Sequence, residues 1–480
     1  MALAASSAQA DTLREALAQA YLTNPSLQAA RAQQRATDEN VPIQKASGLP
    51  NASSTSTYVE TLKKSPNSFT SPDRTFSGDV SLGVPIYSGG AVRNSVRAAK
   101  ERVDAGQADL RGTESAIFSR VVAAYMDVIL SEAVVGLNRN QVEVLTVNLQ
   151  ATSDRFEIGD LTRTDVAQSQ ARLALAQGDT RSAEANLMSA REFYIQLVGT
   201  PPVDLQPPPP LPNLPASADE AVAIALEYNP DLIAAKERVT AAEYDIDVAG
   251  ASRLPTVDLF TSGTYRDYFG TLGGAAGSAA FNQSETTAQV GARVQIPIFQ
   301  GGRPAALRRQ AQAFASAALE TEIAVERDVI AQTRAAYSSW IAAQELIASN
   351  GAAVEAAALS LEGVQAENSV GNRTILDILN AEQELLSARV RLATARRNAY
   401  VAGFSLLAAM GRAEARDLNL EAGVLYDPEV NYERVRGKWF DWDNDPAPEA
   451  SATRTVDTPV QDSEIRGADQ ESALQGAGNE

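Results

Sequence analysis

Two long stretches of this chain admit almost no structure except helix. Between Gly90 and Gly159 there is no proline, and from Arg303 to Gly371 the only proline is Pro304, which suits a helix start. Continuous helices over 90–158 and 304–370 would each be ~100 Å long at a rise of ~1.5 Å per residue. A lone helix of that length is not an element of a globular domain and needs partners along its whole length. The apolar pattern supplies them. Val96, Val103, Leu110 and Ile117 are spaced by seven, and after a four-residue shift Val121, Val128, Val135, Val142, Leu149 and Phe156 resume the period. The shift has the size of a coiled-coil stutter. Helices expected at 163–199 and 374–410 carry the same spacing, as in Ile378, Leu385, Leu392, Ala399 and Leu406. A strict period of seven implies left-handed supercoiling. The opposite faces are rich in small residues, as in Ala352–Ala358, which lets helices pack on two flanks, as a closed tube requires.

The chain also repeats itself, a sign worth seeking before any fold is assigned. Asn24-Pro25 and Asn229-Pro230 lie 205 residues apart, and Leu49-Pro50 and Leu254-Pro255 keep that offset. Further on the offset is 212. It relates Pro85-Ile86-Tyr87-Ser88-Gly89-Gly90 to Pro297-Ile298-Phe299-Gln300-Gly301-Gly302, Gly159 to Gly371, and Asp165 to Asp377. One structural unit therefore occurs twice, at 11–200 and 217–411, joined by a proline-rich linker at 201–216. A segment at 412–440 follows, and then an acidic tail at 441–480, whose composition reads as disordered. Residues 1–10 read as the remnant of a signal peptide or as a plain disordered terminus, because Ala8-Gln9-Ala10 has the form of a cleavage site without its preceding apolar region.

Segments at about 52–61, 75–87, 256–268 and 285–299 are of another kind. They are rich in Ser, Thr, Val and aromatics, and they alternate apolar with small or polar residues, as strands do. Their length suits tilted membrane-spanning strands, and Tyr58, Phe76, Tyr87, Phe260, Tyr265, Tyr268 and Phe299 suit aromatic girdles. An ordinary soluble sheet with aromatic packing is the alternative, weakened by the long helices beside it. Four strands cannot close a membrane barrel, which needs at least eight, so the strand count itself calls for oligomers; three copies give twelve.

Composition removes several functions. The chain has no cysteine and no histidine, so common zinc sites and Ser-His-Asp or Cys-His catalysis are absent. Its net charge of -19 opposes nucleic-acid binding. There is no unbroken apolar run of the ~18 residues a membrane helix needs. No carboxylate pair sits in a cleft-forming context suited to a cell-wall hydrolase, and no cofactor is expected.

The run Gly371-Asn372-Arg373-Thr374-Ile375-Leu376-Asp377-Ile378-Leu379-Asn380 resembles the second periplasmic helix turn of the TolC family, and Ile158–Val166 is its first-half counterpart. The Asn-Pro segments, the Pro-Ile-aromatic-x-Gly-Gly strand ends and the two-fold repeat are similar to the same family over about residues 11–430. The resemblance implies a mainly α fold with a membrane β-barrel: a homotrimer with a twelve-stranded barrel in the outer membrane and a twelve-helix periplasmic tube. It implies an equatorial belt drawn from residues 217–253 and from the chain after Gly411. It further implies a non-enzymatic exit duct for type I protein secretion or multidrug efflux. A periplasmic adaptor protein and an inner-membrane ABC or RND-type transporter would open it. The cargo, secreted protein or small molecule, stays open.

The same resemblance places a gate at the tunnel base. Arg373 takes the gate arginine's position, with Thr164 and Asp165 as its partners, and Asn368 stands where the family has a tyrosine. An arginine fork can hold a hydroxyl and a carboxylate at a fixed angle. Asp377 takes the position of the aperture aspartate, with Asn380 at the neighbouring ring position, and three copies of Asp377 would make a cation-selective ring. A solvated helix face near a turn is the ordinary alternative for both aspartates. The competing whole-chain reading is a periplasmic coiled-coil adaptor or scaffold without a barrel. Such adaptors do not repeat the whole unit.

Overall fold

The computed structural model describes residues 11–64, 68, 70–273, 281–420 and 425–465; the expectation for 1–10 and the last part of that for 441–480 lie outside these residues. Three short helices, α1 (Leu13–Thr23), α2 (Pro25–Asp38) and α3 (Asn40–Ala46), lead to strands β1 (Asn51–Glu60) and β2 (Arg74–Tyr87). The long helix α4 (Ala91–Glu157) and the return helix α5 (Arg163–Val198) complete the first half. The second half runs α6 (Ala218–Tyr228), α7 (Pro230–Ala251), β3 (Thr256–Asp267), β4 (Ser284–Gln295), α8 (Arg303–Ser369) and α9 (Ile375–Ala409), followed by α10 (Pro428–Val435). The β4 ladder stops at Gln295, short of the expected 299, where Pro297 has no N–H to give it.

The helices solve the problem that their length poses. α5 covers the part of α4 near the α4–α5 turn, and α9 does the same for α8. Toward the sheet, α2 and α3 pack on α4, while α7 packs on both α4 and α8. α7 thus lies against both long helices, and α6 packs on α8. The Asn-Pro repeat marks the joint where one cover gives way to the next. Asn24 Oδ1 caps the start of α2, accepting from Ser26 and Leu27, while its amide donates to the Leu197 carbonyl at the end of α5 (2.9 Å). Asn229 does the same for α7 and the Ala409 carbonyl of α9 (2.9 Å). Proline follows both because the first helical residue needs no N–H. The largest core sits around these joints, with Phe118, Tyr125, Leu187, Tyr194, Phe404 and Leu407 fully or nearly fully buried.

The sheet is antiparallel in the order β1-β2-β3-β4. One face pairs Leu82 with Thr261, Val84 with Leu259, and Val257 with Val294; the other pairs Asp79 with Thr264, Asp258 with Arg293, and Arg266 with Glu285. An apolar face backed by a polar one is the pattern of a barrel wall between lipid and water. Phe260 lies over Gly291, where an added Cβ would come within 2.8 Å of the ring.

One stretch of α4 is long and apolar enough to cross a membrane, but more than half of it is buried within the chain. Two acids of α4 are ion-paired: Asp127 with Arg397 of α9 (2.8 and 3.1 Å) and Glu132 with Arg191 of α5 (2.6 Å). Burial against neighbouring helices therefore accounts for the apolar stretch.

Part of the C-terminal segment lies against α5: residues 462–464 are held there by Arg191 and Arg139, and the Arg191 side chain is only 3% exposed. Arg191 donates to the carbonyls of Asp462 (2.8 Å) and Glu464 (2.7 Å), and Arg139 donates to the Ser463 carbonyl (3.0 Å). Replacing Arg191 by Ala removes a buried cation that holds Glu132, Asp462 and Glu464 together, so the expected loss is about 3–5 kcal/mol. Limited proteolysis should then release the C-terminal segment at least as early as the rest of the chain unfolds.

Glu114 of α4 accepts from the Ala415 N–H (2.6 Å), and burial pushes its carboxyl up to about 7. A raised carboxyl favours the folded state below its unfolded value of 4.5 and loses that contribution as pH rises to about 7. Glu114→Gln should flatten the fall in thermal stability across that window.

Candidate functional site

The free ends of the two long helices carry two turns built alike. α4 ends in a Schellman motif: Gly159 N–H donates to the Phe156 carbonyl (3.0 Å) and Asp160 N–H to that of Arg155 (2.9 Å). α8 ends identically, with Gly371 on Asn368 (2.9 Å) and Asn372 on Glu367 (2.9 Å). Gly159 and Gly371 have φ of 84° and 82°, the left-handed conformation such a cap demands. Neither has another atom within 4 Å of a would-be Cβ, so backbone conformation alone selects glycine.

The return helices start alike as well. Thr162 and Asp165 form a capping box: Asp165 Oδ2 accepts from the Thr162 N–H (2.8 Å) and hydroxyl (2.7 Å). Thr374 and Asp377 repeat it at 2.9 and 2.8 Å. Hydrogen bonds from the Thr162 side chain and backbone hold the Asp165 carboxyl below the usual range, and those from the Thr374 backbone and side chain do the same for Asp377. Both therefore stay ionised throughout the neutral and mildly acidic range.

The turns differ in their charged locks. Arg155 reaches forward to Asp160 (2.8 Å), whereas at the equivalent place Glu367 accepts from Arg373 (2.7 Å). The basic and acidic partners have exchanged sides. Asn368 donates to the Arg373 carbonyl (2.7 Å) and closes the second turn. Within one chain, then, Arg373 meets Glu367, Asp165 is engaged by its own cap, and Thr164 is exposed on the surface. The structure brings together Asn368 and Arg373, but not Arg373 with Thr164 or Asp165. Asn380 accepts from Arg172 of α5 (2.7 Å), one of the contacts between the two return helices. Sequence reasoning missed Glu367, Arg172 and the Arg155–Asp160 pair. The 212-residue offset pairs Arg155 with Glu367 and would have exposed the charge reversal. Among the described residues no cluster of acids is arranged to hold a metal.

Nothing in these turns performs covalent chemistry. Long helices covered on two flanks, a four-stranded sheet with one apolar face, and paired turns at the far end define a conduit of the outer-membrane channel class. The family model described as "Outer membrane efflux protein" matches residues 16–200 and 221–412. The chain belongs to this family, is not an enzyme, and resides in the outer membrane with its helices extending into the periplasm. It is 34% identical over 439 residues to the outer membrane efflux protein BepC of Brucella suis, covering 91% of this chain and 93% of that one. It is 28% identical over 318 residues to the outer membrane protein TolC of Escherichia coli, covering 64% and 63%. Among solved structures, CusC superposes with a TM-score of 0.72 at 18% identity, covering 85% of this chain and 95% of that one. VceC of Vibrio cholerae superposes with a TM-score of 0.70 at 20% identity, covering 83% and 96%. A periplasmic adaptor without a barrel is not favoured.

Gly371→Ala should cost about 1 kcal/mol, because alanine resists the left-handed conformation. Hydrogen exchange at the α8–α9 turn should accelerate while the sheet stays unchanged.

Proposed function

We propose that three copies of this chain close a twelve-stranded barrel and a continuous tube, and that the tip turns form its gate. The supporting observation is that Arg373 rests on Glu367 in a pair whose side chains are 48% and 52% exposed. Such pairs are weak, so Arg373 is free to exchange partners. In the closed assembly it engages Thr164 and Asp165 across a chain boundary; when the tips spread it returns to Glu367. Asn368 holds the turn's backbone in place during the exchange. Asp377 lies on the return helix beside the turn, and three copies give the aperture a ring of negative charge, with Asn380 as a neutral neighbour.

An inner-membrane ABC or RND-type transporter and its periplasmic adaptor supply the force that spreads the tips. Cargo passes as type I secreted protein or as small toxic molecules. Relatives of both kinds support the breadth: the alkaline protease secretion protein AprF of Pseudomonas aeruginosa is 29% identical over 321 residues, and the cobalt-zinc-cadmium resistance protein CzcC of Cupriavidus metallidurans is 27% identical over 410.

Planar-bilayer conductance tests this directly. Asp377→Ala should lower cation preference while preserving stable channels. In the wild type the preference should hold from about pH 7 to about pH 5, because Asp377 titrates below the ordinary carboxylate range. Arg373→Ala should raise open probability. Unchanged selectivity in Asp377→Ala would remove the ring assignment, and unchanged gating in Arg373→Ala would remove the gate.

A further inference from the structure

After α10 the chain forms a small closed loop. Arg434 grips Asp445 with two hydrogen bonds (2.7 and 2.8 Å), and inside it Lys438 pairs with Asp443 (3.0 Å). Arg436 pairs with Glu433 (2.6 Å). The loop's charges are thus largely matched within itself. What it presents outward is aromatic: Trp439, Phe440 and Trp442 are 77%, 62% and 80% exposed. Three large aromatic side chains within four residues, exposed on a loop fixed by ion pairs, are a patch that needs a partner.

The height of the loop says which partner. Tyr426, before α10, lies against Arg31. Asn431 donates to Asp38 at the end of α2 (2.7 Å), and Tyr432 packs beside Val41, Val96, Ala99 and Val103. α10 therefore climbs toward the sheet. Val96–Val103 lie ~8–18 Å from the sheet-side end of α4 at ~1.5 Å per residue. The four residues from Val435 to Trp439 can span up to ~13 Å. The patch thus lies within reach of the level of α3 and the sheet-side end of α4, close beneath the strand ends.

We infer that Trp439, Phe440 and Trp442 form an interfacial anchor that lies in the headgroup zone of the periplasmic leaflet of the outer membrane. The inference rests on the barrel placement given above. Indole rings favour this zone because the ring body is apolar while its N–H remains wet, and Phe440 adds apolar area beside them. Matched charges in the same loop leave little repulsion against a phospholipid surface. The anchor extends the barrel's lipid contact below the strands and fixes the depth and tilt of the tube.

The chain's three tryptophans make the test direct, since only Trp340 lies outside the loop. Trp340→Phe protein is placed in nanodiscs of plain phosphatidylcholine and in discs of phosphatidylcholine brominated near the top of its acyl chains. The expected result is loss of tryptophan emission in brominated discs alone, from a blue-shifted maximum. A Trp439→Phe/Trp442→Phe protein, reporting from Trp340 against Tyr337, should show no such loss. Undiminished emission with a red-shifted maximum would place the loop in water and overturn the anchor. Undiminished emission with a blue-shifted maximum would place it against another copy of the chain and overturn it too. Failure of every variant and of the wild type to enter discs would instead overturn the barrel reading on which the anchor rests.

Discussion

A helix of 67 residues must be covered along its full length, and this requirement shapes the rest of the chain. No single partner of equal length is used. Each long helix is covered in two sections, by a return helix at one end and by shorter helices at the other. The section joint is sealed by one asparagine, whose oxygen caps the helix that starts and whose amide caps the helix that stops. Because carbonyls at helix ends lack partners in the chain's own hydrogen-bond ladder, a butt joint in the wall would otherwise leave polar groups buried. The main core gathers at this level because four helix ends, the linker and the segment after Gly411 all converge there.

The polar features divide by depth. Buried ions such as Arg191 and Glu132 are held by several partners and fix the helices and the C-terminal segment in place. At the tips the charged locks, Arg155–Asp160 and Arg373–Glu367, are about half exposed, and the backbone is pinned by caps. Rigid turns carrying loosely held side chains suit a rim that must rearrange without unfolding.

Much of this was legible in the sequence, for specific physical reasons. The proline-free runs that stop at Gly159 and Gly371 mark the long helices, the Asn24-Pro25 and Asn229-Pro230 pairs mark the repeat, and the Ser/Thr/Val-rich alternating segments mark strands. These signals are local, and local rules decode them. Illegible were the contacts that depend on which elements meet. Nothing near Arg373 in the chain favours Glu367 over Asp165 until the turn geometry is known. The contact of residues 462–464 with Arg191 was illegible too, since only a cation among Leu187 and Tyr194 on an apolar face hinted that something would cover it. The belt expectation for residues 217–253 came from resemblance alone, whereas the packing of α7 on α4 and α8 follows from where Asn229 sets its start.

The reversed locks at the two turns have a bearing on symmetry. In the proposed trimer, two similar halves taken three times around an axis give a rim of six similar hairpins. Their shapes repeat every sixth of a circle, but their polarity repeats only every third: basic before the glycine in one hairpin, acidic before it in the next. Six identical partner molecules arriving at such a rim would find two unlike seats in alternation. The tube would thereby impose inequivalence on a partner ring that has none of its own.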